Sequence, residues 1–338
     1  MKRIMNPDAC KLSIVVASRH DDHGGGMLER MRWFIRGLDH QVRQFGMPVE
    51  LVFVEWNPPE DMTRLHAVLP RPQAGSPLRI RYVTVPESVH RRWRHAEVIP
   101  LFQMIAKNVG IRRSRGEFVL CTNIDLLLSD PLCGFLAAGK LDPGAFYRAN
   151  RCDVPRDILA ADSPASALVY ASAHVIRRLG DVPWGYGKSF ASVRRLKRAM
   201  IQWFQPDTRD LIHRLDTDAC GDFTLMAKSA WERIRGYPEL GLYSIHVDTL
   251  GCMAAAACGY RQVVLPPELC TYHIDHDSGW MSMTPAEKLK FSEQRPTLDW
   301  MVICESARWM LEHQQPLPVN DAHWGCLGED FEEQVIGG

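Results

Sequence analysis

Phe118-Val119-Leu120-Cys121-Thr122-Asn123-Ile124-Asp125 is the stretch on which the reading of this chain turns. An apolar run ends abruptly in Asn-x-Asp, and Leu126-Leu127-Leu128 then resumes the apolar pattern. A short continuous apolar run bounded by polar residues suits a strand covered on both faces. A carboxylate delivered at the C-terminal end of such a strand is well placed to hold a divalent cation against a phosphate, which points to a nucleotide-activated substrate.

Working outward, strands and helices alternate. Leu12-Ser13-Ile14-Val15-Val16-Ala17 is rich in β-branched residues and reads as a buried strand, followed by the polar loop Ser18 to Gly26. A helix is expected from about Met27 to Phe45, where Met31, Phe34, Ile35, Leu38 and Val42 fall at helical spacing and Gly46 supplies a stop. Further strands are expected at Glu50–Trp56, Arg79–Val85 and Glu117–Thr122. A short helix is expected near Met62–Leu69 and a strong one over Glu97–Arg113. This alternation implies an α/β fold, a mostly parallel central sheet with helices on both faces. Ligands of such sheets sit outside the C-terminal strand ends, so Ser18-Arg19, Glu55 and Asn123-Ile124-Asp125 should converge on one crevice. The second half is less regular. A strand is expected at Phe146–Arg148, a helix at Ala165–Leu179, an inserted loop and basic helix at about 185–215 and a strand at Phe223–Ala227. Helices follow near Ser229–Ile234, Asp248–Cys258 and Thr297–His313, with a polar tail after the last.

Composition excludes several classes. The formal net charge over 338 residues is zero, so nothing global favours nucleic acid as a partner. No run is apolar and long enough to span a membrane, and the N-terminal residues lack the apolar core of a signal peptide, so a cytoplasmic location is expected. The ten cysteines form no CxxC pair and read as buried free thiols. No GxGxxG follows the first strand, and Gly185-Tyr186-Gly187-Lys188-Ser189 lacks the first glycine of a P-loop, since position 182 is Val. GxSxG and HExxH are also absent.

Asn108-Val109-Gly110-Ile111, then Arg115-Gly116-Glu117-Phe118-Val119-Leu120, then Asn123-Ile124-Asp125, resembles the nucleotide-sugar glycosyltransferases of GT-A fold, especially the family-2-like group. Gly221-Asp222-Phe223-Thr224-Leu225-Met226-Ala227 and Trp231-Glu232-Arg233-Ile234-Arg235-Gly236-Tyr237-Pro238-Glu239 resemble the acceptor-side strand and turn of the same group. The resemblance covers most of residues 11–276. It implies a GT-A domain over 1–296, with a nucleotide-binding half at about 11–130 and an acceptor half at about 140–280. Residues 297–338 would form a C-terminal helical extension and tail.

The resemblance further implies a metal-dependent hexosyl- or N-acetylhexosaminyltransferase. Its donor would be a nucleoside-diphosphate sugar, with uridine favoured, and its acceptor a hydroxyl on a glycan, small molecule or lipid-linked molecule. Asp125 takes the place of the residue that binds Mn²⁺ or Mg²⁺ against the diphosphate. Asn123 departs from the Asp-x-Asp pattern and brings an amide rather than a second charge. His273 or His276, in Tyr272-His273-Ile274-Asp275-His276-Asp277, would complete the metal site. The same cluster also suits a solvated loop or a zinc site. For an inverting enzyme the base would be Asp248, eleven residues before Gly259, with Asp222 as the competing residue. An Asp at a helix start is equally an ordinary N-cap. Ala17, Ser18, Arg19 and Glu55 correspond to the nucleoside end, with Asn108 on the preceding helix. Arg91, Arg92, Arg94 and His95 suit either the diphosphate or a solvated basic turn.

Ser189–Phe204 places Arg194, Arg195, Lys197 and Arg198 beside Phe190, Leu196, Ile201 and Trp203. A basic amphipathic helix of this kind suits a peripheral membrane contact, a lipid-linked acceptor or a lid on the acceptor half. Two alternatives to a glycosyltransferase remain open. A sugar-phosphate nucleotidyltransferase has a related sheet, although its Gly-rich N-terminal signature is missing. A catalytically silent nucleotide-sugar or glycan-binding module is suggested by Asn123.

Overall fold

The computed structural model describes residues 11–22, 25–179, 211–276 and 284–337. The expected insert at 185–215, including the basic stretch 189–204, lies outside the described residues up to 210. The chain forms a mixed α/β fold built on an eight-stranded sheet. Its first four strands are β1 (Leu12–Ser18), β2 (Val49–Trp56), β3 (Leu78–Val85) and β4 (Phe118–Thr122). They run parallel in the order β4-β1-β2-β3, with Leu12 level with both Val49 and Phe118. Every residue of β1, β2 and β4 is buried, as a strand covered on both faces requires.

The helix Met27–Gln44 turns its Met31, Phe34, Ile35, Leu38 and Val42 into the core. The helix Gln103–Arg113 lies directly on the sheet. A Cβ at Gly110 would stand 2.4 Å from Val15 Cγ1, so only glycine permits this approach. This helix is shorter than the expected Glu97–Arg113, because Pro100 supplies no N–H and biases the residue before it away from helical geometry.

Four of the seven pairings in this sheet are parallel, in keeping with the expected mostly parallel sheet, and three further features complete the topology. First, the sheet is mixed. After β5 (Leu126–Leu128), β6 (Ala145–Arg148), β7 (Asn150–Val154) and β8 (Arg177–Leu179) comes β9 (Phe223–Ala227), which inserts antiparallel between β4 and β6. β10 (Arg261–Val264) then adds in parallel to β6. Second, β11 (Cys270–Ile274) joins a separate four-stranded sheet of order β5-β11-β7-β8. β8 takes residues expected at the end of a helix, which stops at Ala173. Third, the tail beyond the helix Trp300–His313 returns as β12 (Glu332–Gly337) and pairs antiparallel with β3. Trp324 and Phe331 on that tail are buried in the main core. The described cysteines are free, and six of them are buried. Among the described residues no helix is long and apolar enough to cross a membrane.

Candidate functional site

Two pairings assemble the site. Because β9 is antiparallel to β4, Phe223 lies beside Thr122, so Asp222 at the start of β9 meets Asn123 at the end of β4. Because β11 pairs with β5, His273 lies opposite Leu126, and the Ile274 N–H donates to the Asp125 carbonyl at 3.0 Å. Residues from eight chain segments line one cleft of about 320 Å³. It includes Ala17, Arg19, Asn123, Asp125, Asp222, His273 and His276.

At its floor Asp125 Oδ2 stands 3.6 Å from His273 Nε2 and 3.5 Å from His276 Nε2. One donor atom from each of the three residues falls within 4.8 Å of the others. Asp125 Oδ1 is buried and, among the described residues, has no hydrogen-bond partner. Burial pushes the Asp125 carboxyl up, but His273 and His276 outweigh it and hold the group well below the usual carboxylate range. At His273, burial and Arg151 lower the pKa, while Asp125 and Asp153 more than offset them and lift it to about 9. A buried carboxylate oxygen without a partner, facing two imidazoles, fits a divalent cation. Both histidines therefore qualify as ligands together, where the sequence offered them as alternatives. A set of one carboxylate and two imidazoles suits Mn²⁺ better than Mg²⁺, which favours oxygen donors.

Asn123 sits at the centre of a second cluster. Its Oδ1 accepts from Gln103 Nε2 and from Lys107 Nζ, each at 2.8 Å, and its Nδ2 donates to Asp222 Oδ1 at 2.5 Å. Lys107 is fully buried and also donates to the Gly221 carbonyl at 2.8 Å. Burial lowers its pKa, opposed by neighbours that include Asp222 and Asp248. The second Asp222 oxygen accepts from an Arg151 guanidinium nitrogen at 3.0 Å. An aspartate at 123 would set two carboxylate oxygens against each other, so the departure from Asp-x-Asp follows from the proximity of Asp222.

The remaining sequence candidates are placed as follows. Arg19 lines the cleft, with Nε donating to the Asn57 carbonyl at 2.7 Å and a guanidinium nitrogen 2.9 Å from Asp21. Ser18 and Glu55 are fully buried and do not line it. Both Glu55 oxygens accept from the Leu65 N–H, at 3.1 and 3.2 Å, at the start of the short helix Leu65–Val68. Burial raises the Glu55 pKa. Asn108 faces away from the cleft. Its Oδ1 accepts from Tyr237 N at 2.8 Å, and its Nδ2 donates to Tyr237 O at 2.7 Å and Glu239 Oε1 at 2.9 Å. Asp248 opens the helix Val247–Ala257, accepts from the Thr249 N–H at 2.9 Å and is not among the lining residues. Arg91 pairs with Glu87 and Arg92 with Glu329 at the surface.

Sequence reasoning missed Arg151, Gln103, Tyr243 and Arg295, all of which line the cleft. The Arg295 guanidinium lies 4.5 Å from the Phe291 ring centroid and 6.0 Å from that of Tyr243. The alternation Arg151-Cys152-Asp153-Val154 carried the signal for a strand with one charged face, masked by the charges themselves.

No family model matches the chain, and neither does any curated protein. Among solved structures it is similar to S. aureus TarS 1-349, at 14% identity over 78% of this chain and TM-score 0.40. TarS 1-349 in complex with UDP-GlcNAc gives 12% identity over 90% of this chain and 72% of that one, at TM-score 0.43. The match spans 60% of the first of these chains and 37% of the longer TarS chain. At these TM-scores the likeness carries no weight, and the functional reading stands on the cleft.

Proposed function

We propose that this protein is a metal-dependent glycosyltransferase of GT-A fold. It would move a hexosyl or N-acetylhexosaminyl group from a nucleoside-diphosphate sugar, with uridine favoured, to a hydroxyl acceptor. The observation that carries this reading is the convergence of Asp125, His273 and His276 beyond the C-terminal end of β4. The partnerless Asp125 oxygen supports it further. Asp125, His273 and His276 would hold Mn²⁺, which supplies charge stabilisation to the departing diphosphate when bound. Arg19 and Arg295 line the same cleft and add cationic donors suited to phosphate oxygens.

Asp222 is the stronger of the two base candidates. It lines the cleft, and Asn123 and Arg151 orient both its oxygens. In an inverting reaction it would take the proton of the acceptor hydroxyl. The occupation of both oxygens also favours a second reading, a module that binds nucleotide sugar without turning it over.

A thermal-shift screen of nucleotide sugars with and without Mn²⁺ tests the main reading. UDP with Mn²⁺ should raise Tm together more than either does alone. Turnover of a UDP-sugar that Asp125→Ala abolishes would separate catalysis from silent binding. Stabilisation by zinc alone, with no nucleotide effect, would overturn both.

A further inference from the structure

The helix Gln103–Arg113 presents Gln103 and Lys107 one turn apart, and both donate to Asn123 Oδ1 at 2.8 Å. An amide oxygen that accepts from two donors settles which way the amide faces. The Asn123 amide nitrogen is thereby turned to Asp222, where it donates to Oδ1 at 2.5 Å. Arg151 donates to Oδ2 at 3.0 Å, so each Asp222 oxygen has a partner and keeps a further acceptor site. The backbone around Asp222 is held as well. Lys107 Nζ donates to the Gly221 carbonyl at 2.8 Å, and Thr122 Oγ1 donates to the Asp222 carbonyl at 2.7 Å. The two donors on Asn123 differ in exposure. Gln103 lines the cleft, where a ligand can draw its amide away, whereas Lys107 is fully buried and stands outside the lining.

We propose that Lys107 is a positioning residue for Asp222, acting through the Asn123 amide and the Gly221 carbonyl. This rests on the reading of Asp222 as the base of a glycosyltransferase. Burying an ammonium costs free energy that an apolar side chain of the same length avoids, and what Lys107 supplies in return is direction. Without it the Asn123 amide is free to turn over. Its oxygen would then face the Asp222 carboxylate and push that group out of line with the acceptor hydroxyl. The Gly221 carbonyl would lose a partner at the same time, which loosens the residue next to Asp222. Lys107 stands outside the cleft lining, so its effect falls on the alignment of the reacting groups and not on donor binding.

The test is steady-state release of UDP from UDP-glucose and from UDP-N-acetylglucosamine with Mn²⁺, water standing in for the acceptor hydroxyl. Lys107→Met nearly keeps the side-chain length and should lower kcat about 100-fold, with KM for the UDP-sugar changed by less than about threefold. In an Asp222→Asn background the same substitution should change kcat by less than about threefold, because the group that Lys107 positions is already gone. Unchanged kcat in Lys107→Met, a loss confined to KM, or losses that multiply in the double variant overturn the proposal and leave the glycosyltransferase reading standing. Should Lys107→Met fail to fold, Asn123→Ala decides the matter, since it removes the group through which Lys107 acts. It should lower kcat about 100-fold alone and by less than about threefold beside Asp222→Asn, and unchanged kcat or multiplying losses overturn the proposal. A wild type that releases UDP from neither sugar overturns the glycosyltransferase reading itself, and the proposal with it.

Discussion

Two buried polar clusters of this protein use similar residues to opposite ends. Around Asn108 both side-chain amide atoms are answered from within the protein. The Asn108 amide binds both backbone groups of Tyr237 and the Glu239 carboxylate, which in turn accepts from the Gly325 N–H at 2.8 Å. Asn320 donates to the carbonyls of Arg235 and Tyr237, each at 2.7 Å. Gly236, at φ 70°, lies so close that a Cβ there would stand 2.3 Å from Asn108 Oδ1. This cluster is a latch that fastens the tail to the core. Around Asp125 the chain brings a carboxylate and two imidazoles together and leaves one oxygen unanswered. Both residues belong to the same family-like constellation, yet only Asp125 retains capacity for a ligand. Internal satisfaction, rather than motif membership, separates the structural residue from the functional one.

The comparison can be broken most directly at Asp125. Asp125→Ala should lower UDP-sugar turnover by at least about 1000-fold, the scale of several kcal/mol that a bound metal supplies. Its urea-unfolding free energy in metal-free buffer should fall by about 2 kcal/mol, because Oδ2 no longer pairs with His273 and His276 while nothing is lost at Oδ1. A large loss of stability with little loss of turnover would place Asp125 with the latch. Asn108→Ala should behave in reverse. It strands Tyr237 and Glu239 and should cost about 3 kcal/mol in urea unfolding, with Mn²⁺ affinity unchanged.

A carboxylate at position 123 sharpens the contrast. Asn123→Asp sets a second carboxylate against Asp222 and should cost about 2 kcal/mol, with Lys107 offsetting part of the repulsion. Turnover should fall rather than rise, and adding Asp222→Asn should recover stability but not activity. A gain in activity in the single variant would break the account given for Asn123.

The smallest effect is in the pH dependence of the metal-free protein. The folded His273 pKa lies above its ordinary value, at about 9 against 6.5. Its protonated form therefore contributes stability in full below pH 6.5, and that contribution is lost as pH rises through 9. Mn²⁺ must displace this proton, so the rise in Tm that it produces should grow over the same interval. A Tm increment independent of pH would count against His273 as a ligand.

Much of the N-terminal half of the sheet was legible. β1 and β4 are largely apolar runs, and β2 and β3 carry enough Val, Ile, Phe and Tyr between their charged residues to read as strands. Phe223–Ala227 was legible as a strand for the same reason, but not its direction, which depends on a pairing partner about a hundred residues away. The small sheet was mostly illegible, because β7 and β8 carry arginines and an aspartate that pair with one another inside the fold. At the site, Asp125, His273 and Asp222 stood out as chemistry-bearing types, and the structure brings them to one cleft. Glu55 and Asp248 looked equivalent in the sequence. In the structure neither lines the cleft: Glu55 accepts from the Leu65 N–H and Asp248 from the Thr249 N–H. Arg151 and Asp153 had no local signal beyond their spacing of two.

The pairing of β12 with β3 also bears on how the chain is made. Thr84 lies level with Glu332, so β3 waits through roughly 250 further residues before its outer side is covered. During synthesis the nascent sheet carries Leu78–Val85 as an open edge of unpaired backbone groups, a template on which a neighbouring chain can add a strand. A chain cut short of Glu332 keeps that edge permanently, and chaperone occupancy during translation should be longest on the polypeptide that has released β3 but not yet β12.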